Sequence, residues 1–248
     1  DAVYDLSGSG GTGTITGTNG FDAEYNAWVF DGSGDYISGT QSLGTGQPVH
    51  SQSVWFRRDT TYAGYQWITK IGSGGGGQVT GFVLLSDGVT LQTSSYGNDI
   101  RTISTVEGEW YHATFVYGGG EWTSSNVITY VNGQIATETS GGRNYSFSLV
   151  GTGVTIGSRG SGVEGFRGSI ANFRLYSKAL SADQVRELYE YDAPRFGHRT
   201  NVVALHKGNL GVGVTAPTSR FEVAGREDLQ EYPPRALSQS NAIYTGFE

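Results

Sequence analysis

The chain has 248 residues, 36% hydrophobic and 12% aromatic, with 40 glycines set between short Val/Ile/Tyr/Phe/Trp-rich runs; this suits a folded, turn-rich domain with a sizeable core. It contains no cysteine, which excludes a disulfide framework, cysteine-ligated zinc and thiol catalysis, and no apolar run nears the roughly 18 residues of a membrane span. The formal net charge is -7; residues 1–192 carry 10 Lys/Arg against 18 Asp/Glu and the remainder 6 against 5, so the clustered cations that nucleic acid requires are missing.

Strand candidates follow one another in chain order: Phe21 to Phe30, Ser53 to Arg58, Gln66 to Ile71, Gly81 to Leu85, Trp110 to Tyr117, Val127 to Val131 and Gly168 to Tyr176. In the last, strict alternation puts Ile170, Asn172, Arg174 and Tyr176 on one face and Ala171, Phe173 and Leu175 on the other. Asp87-Gly88 and Asn132-Gly133 each predict a hairpin through a type I′ turn, whose two central residues need positive φ. One helix is expected, about ten residues long. Ser181 is its N-cap, Gln184 completes a capping box, Leu180 can staple onto Val185, and Val185, Leu188 and Tyr189 form its apolar stripe.

After Asp192 the texture changes. Residues 193–200, with Pro194 and Gly197, read as a linker, and Asn201 to Gly225 reads as two short strands around a Gly-rich turn. Residues 201–248 are too few to hold a core alone and are expected to pair with other chains or with sequence missing from this stretch. With no methionine, even at position 1, the chain is expected to be processed or a fragment.

Six segments carry a family resemblance: YDLSGSGGTGTITG at Tyr4 to Gly17, FDGSGDYI at Phe30 to Ile37, SVWFRR at Ser53 to Arg58, EWYHATFVY at Glu109 to Tyr117, ITYVNGQ at Ile128 to Gln134 and GSIANFRLYSKALSADQVRELYE at Gly168 to Glu190. In this order and spacing they resemble the concanavalin A-like, laminin-G-like jelly-roll family over residues 1–192. The resemblance implies an all-β fold, a two-sheet antiparallel jelly-roll sandwich with one short C-terminal helix, here followed by a small β appendage. It also implies ligand sites on one face or in rim loops. The stretch ALHKGNLGVGVTAPTSRFEVAG, Ala204 to Gly225, together with YPPRAL at Tyr232 to Leu237, resembles the stalk repeats of viral tail fibres and the surface proteins of large algal DNA viruses. That likeness implies a homotrimer formed through 201–248 and a location at a virion surface, outside the cell.

Catalytic signatures are weak. A glucanase of this fold would carry alternating carboxylates along a strand, and only Glu107 and Glu109 approach that. His50, His112, His198 and His206 are scattered without zinc spacing, and His112 reads as an interior hydrogen-bonding residue. G-x-G-x-x-G occurs at Gly8-Gly10-Gly13, Gly72-Gly74-Gly77 and Gly160-Gly162-Gly165, but no helix opens after any of them, so all three are expected to be loops. Asp31 and Asp35 have two readings: ligands for calcium, with Asn172 at a position where relatives hold a metal-binding Asp, or an Asp-Gly turn capped by its own side chains. Asn144-Tyr145-Ser146 is the single glycosylation triplet.

Aromatics are the stronger clue. Trp28, Trp55 and Trp110 fall in strands and read as core. Tyr62, Tyr65, Tyr96, Trp122 and Tyr145 fall in or beside Gly/Ser-rich loops, with Asn98, Asp99, Arg101 and Arg143 close in sequence. Sugars offer C–H faces to aromatic rings and hydroxyls to such polar groups, so these nine are the expected ligand site, with Trp122 foremost. The expectation is a non-catalytic, lectin-like head that binds a cell-surface or cell-wall glycan, without nucleic acid and without membrane insertion. Its rivals are a structural capsid or fibre component and a polysaccharide-degrading enzyme.

Overall fold

The computed structural model describes residues 2–4, 12–17, 20–142, 146–198, 203–206, 208–212 and 221–223, and the chain divides into two compact units, 1–197 and 198–248. The first contains strands β1 (Ala2–Tyr4), β2 (Thr12–Thr16), β3 (Gly20–Asp22), β4 (Ala27–Asp31), β5 (Tyr36–Thr40), β6 (His50–Arg58), β7 (Gln66–Gly72) and β8 (Val79–Leu84). It continues with β9 (Thr90–Ser94), β10 (Asn98–Ser104), β11 (Trp110–Tyr117), β12 (Val127–Val131), β13 (Gln134–Ile135), β14 (Thr139–Gly142), β15 (Gly153–Ile156), β16 (Arg167–Tyr176) and one helix, α1 (Ala182–Asp192). They form a nine-stranded sheet in the order β1-β2-β5-β15-β7-β8-β9-β10-β14 and a seven-stranded sheet in the order β13-β12-β11-β6-β16-β4-β3, and every pairing within both is antiparallel. This is the expected two-sheet jelly-roll sandwich.

Alternation along the strands fills the space between the sheets. Val54 and Phe56 of β6, Ala113, Phe115 and Tyr117 of β11, Ile68 and Ile71 of β7, and Phe82 and Leu84 of β8 belong to one buried cluster. On the other side of the seven-stranded sheet, Trp55 and Trp110 pack with Phe196, and Val116 and Tyr130 pack with Leu180 and Val185.

The helix begins as the sequence predicts. Ser181 Oγ accepts from the Gln184 amide (3.2 Å) while Gln184 Oε1 accepts from the Ser181 amide (3.0 Å). The chain then continues as a single 3-10 turn over Ala193–Phe196, which brings Phe196 to 4.2 Å from Trp55, ring centre to ring centre. The buried Asp192 carboxylate pairs with Arg174 at 2.8 Å. Residues 193–197, expected as linker, are therefore part of the sandwich, and the compact unit closes at Gly197.

Three local expectations are corrected. Phe21 to Phe30 is two strands, β3 and β4, folded back through residues 23–26, with Asp22 Oδ1 accepting from the Glu24 amide and Asn26 at φ 53. Asn132-Gly133 does have both residues at positive φ (50 and 73), but at Asp87-Gly88 only Gly88 does; Asp87 instead accepts from the amides of Val89 and Thr90, closing a longer loop. In β16 the alternation breaks at Asn172, whose φ of 48 marks a bulge, so Ile170 joins Phe173 and Leu175 against the inner core.

The second unit contributes β17 (Val203–His206), β18 (Asn209–Val212) and β19 (Phe221–Val223) among its described residues; β18 pairs antiparallel with β17 and parallel with β19. Two strands were expected there and three are present. No helix among the described residues is long and apolar enough to cross a membrane.

Candidate functional site

The outer face of the nine-stranded sheet carries the site. Pairing register lines up Thr155, Lys70, Gly81, Ser94 and Asp99 across β15, β7, β8, β9 and β10. A second row beside it runs Trp67, Val83, Gln92 and Arg101 across β7 to β10. Trp67 and Lys70 are three residues apart, which alternation would place on opposite faces; the register shift between Trp67 and Thr69 brings them to the same one. Gly81 has no side chain because the backbone crowds it: a Cβ there would lie 2.0 Å from the Thr69 carbonyl oxygen. The sheet surface is consequently low between Lys70 and Ser94.

Two adjoining hollows, of about 390 and 270 Å³, lie over these rows and share Trp67 and Tyr96 as common walls. Polar side chains line the larger: Gln92, Ser94, Asp99 and Glu164, with Tyr65 at its side. Lys70, Arg159, Val79 and the backbone of Gly74 and Gly75 line the smaller. Two of the three glycine patterns, both loops as expected, thus flank the groove.

Tyr96 sits in the β9–β10 turn at φ 54, a strained value for an aromatic residue. Ser94 Oγ holds it there, accepting from the Tyr96 amide (2.9 Å) and donating to Asp99 Oδ1 (2.6 Å). The ring stands 6.3 Å from Trp67, and its hydroxyl accepts from Arg159 at 3.1 Å. Glu164 ties the wall together, accepting from Trp67 Nε1 (2.9 Å) and from Arg159 (3.2 Å). Gln92 is 2% exposed, and its side-chain oxygen has no hydrogen-bond partner among the described residues. Burial and the nearby Arg159 guanidinium hold the Lys70 ammonium below the ordinary lysine range.

Of the nine expected ligand residues, the structure brings Tyr65, Tyr96 and Asp99 together in the groove, with Arg101 next to Gln92 on the same face. Asn98 is buried in β10. Tyr62 lies outside the groove lining, beneath the Arg167 guanidinium at 4.3 Å. Arg143 and Tyr145 lie outside the described residues, as do Asn144 of the glycosylation triplet and half of the stalk-like repeat over Ala204 to Gly225. Trp122 is corrected outright: it is 5% exposed and packs against Phe115, Tyr117 and Phe147 in the inner core, because the glycine-rich loop beside it folds its ring inward. Trp67, Lys70, Gln92, Arg159 and Glu164 were not anticipated. They come from three stretches far apart in sequence, Trp67 with Lys70, Gln92, and Arg159 with Glu164, which the sheet order brings together.

The calcium set does not assemble. Asp31 pairs with Arg167 in register, which leaves Asn172 five residues further along β16, roughly 17 Å away at strand spacing. Asp31 Oδ1 accepts from the Ser33 amide (2.6 Å) and Asp35 Oδ2 from the Asp31 amide (3.3 Å), the bonding of a capped turn. Asn172 is explained by its bulge. No group of three or more His, Asp or Glu able to hold a metal occurs among the described residues. Glu107 pairs with Arg58 at 3.7 Å in an exposed turn, and His112 is buried with Nε2 2.8 Å from Ser53 Oγ.

A double-layer antiparallel sandwich is the architecture of concanavalin A-like domains. The chain belongs to the concanavalin A-like lectin/glucanases superfamily, whose laminin-G family model matches residues 31–186. Among solved structures it is similar to the botulinum neurotoxin serotype D binding domain, at 14% identity and a TM-score of 0.57 over 84% of this chain and 51% of that one. The serotype G binding domain is similar at 16% identity and a TM-score of 0.53, over 77% and 48%. Trypanosoma rangeli sialidase bound to the inhibitor DANA is similar at 16% identity and 0.56, over 73% and 29%. These likenesses share the fold, and the chain spans about half or less of each. No curated protein matches the chain.

Proposed function

We propose that this domain is a non-catalytic carbohydrate-binding module and that the groove over β7 to β10 takes the sugar. The observation that carries the reading is the pairing of exposed aromatic rings with a polar group: Tyr96 and Tyr65, 39% and 44% exposed, beside Asp99, above a buried layer of Trp67, Gln92 and Ser94. Aromatic faces pack on sugar C–H surfaces, and the partly exposed Asp99 carboxylate can accept from a hydroxyl. Both groove carboxylates are engaged in structural hydrogen bonds, Asp99 with Ser94 and Glu164 with Trp67 and Arg159, which favours binding over acid–base work.

In the setting suggested by the tail sequence, the domain is the head of a virion surface fibre that attaches to a host glycan. Weak single-site affinity is then multiplied by several heads on one particle. Glycan-array screening followed by titration calorimetry tests the reading. Tyr96→Ala is expected to weaken binding about tenfold, the scale of one lost aromatic contact, with melting unchanged. Binding unaffected by Tyr96→Ala and by Tyr65→Ala would move the site elsewhere, and release of reducing or unsaturated ends from the bound polymer would make the protein an enzyme.

A further inference from the structure

The two halves of the groove differ in charge. Both acidic residues, Asp99 and Glu164, line the larger hollow, whereas the smaller is lined by Lys70 and Arg159 and, among the described residues, by no carboxylate. Lys70 is half-buried, and no ion pair or hydrogen bond reaches its ammonium group among the described residues. The loop that carries Arg159 closes over it: a Cβ placed on Gly160 would sit 3.9 Å from Lys70 Nζ. Two cations are thus held near one another in a concave, partly desolvated corner. Glu164 compensates only Arg159, from the side facing Trp67. A lysine in that position loses hydration and gains repulsion, and an anionic group between the two cations would relieve both costs.

We propose that the groove is selective for an acidic polysaccharide, whose carboxylate or sulfate ester seats between Lys70 and Arg159 while the uncharged part of the sugar lies along Tyr96 and Tyr65. This inference rests on the glycan reading above and specifies its ligand class. The acidic character of the whole domain does not oppose it at contact range, because charges separated by more than about 8–10 Å are largely screened at physiological salt. The lysine is a point charge suited to either anion, and the guanidinium can bond one in two places.

The test uses the full chain on an array that presents acidic glycans, the same backbones after carboxyl reduction or desulfation, and neutral glucans. Calorimetry then follows on the strongest binder with wild type, Lys70→Gln, Arg159→Gln and Tyr96→Ala. The expected result is binding confined to acidic glycans and lost on one of the two neutralising treatments, which identifies the anion as carboxylate or as sulfate. Lys70→Gln is expected to weaken that binding about tenfold or more, the scale of a lost charge-assisted contact, with an unchanged melting temperature. Should Lys70→Gln fold poorly, Arg159→Gln carries the same expectation. Neutral glycans that bind as tightly as acidic ones, lose affinity with Tyr96→Ala and ignore Lys70→Gln would overturn the acidic selectivity and leave the groove standing. No binding to any glycan would remove both.

Discussion

Two aromatic residues of similar sequence setting separate cleanly by their surroundings. Trp122 and Tyr96 both stand beside Gly/Ser-rich loops, yet Trp122 is 5% exposed against three inner-core rings while Tyr96 is 39% exposed on the groove wall. Removing the first should therefore cost stability and removing the second should cost binding. Trp122→Ala is expected to lower unfolding free energy by about 3–5 kcal/mol, the range for deleting a large buried aromatic, as read by urea titration. Tyr96→Gly takes away the ring but also relieves the positive φ, so its midpoint should fall little or not at all while glycan affinity drops. A Trp122→Ala protein of wild-type stability, or a Tyr96→Gly protein with wild-type binding, would contradict these assignments. Polarity of the neighbouring loop could not distinguish the two, because a loop's composition does not fix which way its flanking ring turns.

At the scale of elements, much of the fold is legible. Trp110 to Tyr117 and Val127 to Val131 are strands with the expected ends, the capping box starts α1, and Asn132-Gly133 turns as its φ demands dictate. Bulges were not legible. A bulge inserts one residue without any compositional mark, and at Asn172 and near Ile68 it reverses which residues share a face. The second of these places Trp67 and Lys70 side by side, and so half of the groove was hidden from the sequence. The rest was hidden by topology: β15 and β7 are neighbours in the sheet although some eighty residues separate them in the chain. The Asn132-Gly133 turn also carries α1, since a Cβ on Gly133 would approach the Tyr189 ring to 2.9 Å. Gly133→Ala should cost roughly 1–3 kcal/mol from backbone strain, with further loss from the displaced helix. A thermal melt within a degree of wild type would show that the turn is not under this constraint.

At the scale of the molecule, the sandwich closes on itself at Gly197, with Phe196 stacked on Trp55. A chain ending at Gly197 should keep a single cooperative melt, whereas one ending at Asp192 loses the Phe196 contact and should be less stable by about 3–5 kcal/mol, as for a buried phenylalanine. The two layers are further joined by a histidine. His50 of β6 points into the core; its Nδ1 lies 2.7 Å from the Pro48 carbonyl, which can only accept, so Nδ1 carries the proton and Nε2 accepts from the Thr80 hydroxyl on β8 at 3.3 Å. Burial lowers its pKa from 6.5 to about 4, against the smaller opposing pull of the Pro48 carbonyl. Between those two values the unfolded chain binds a proton that the folded chain refuses, so stability falls as pH drops through this window and does not change on this account outside it. The full difference is roughly 3 kcal/mol. Denaturation at pH 7 and pH 4 should show the loss, and His50→Gln should shrink it. An NMR titration of the His50 ring gives the sharpest test: its resonance should stay flat from pH 8 down to about 5, and a midpoint near 6.5 would mean that the ring is solvated and does not lock the sheets together.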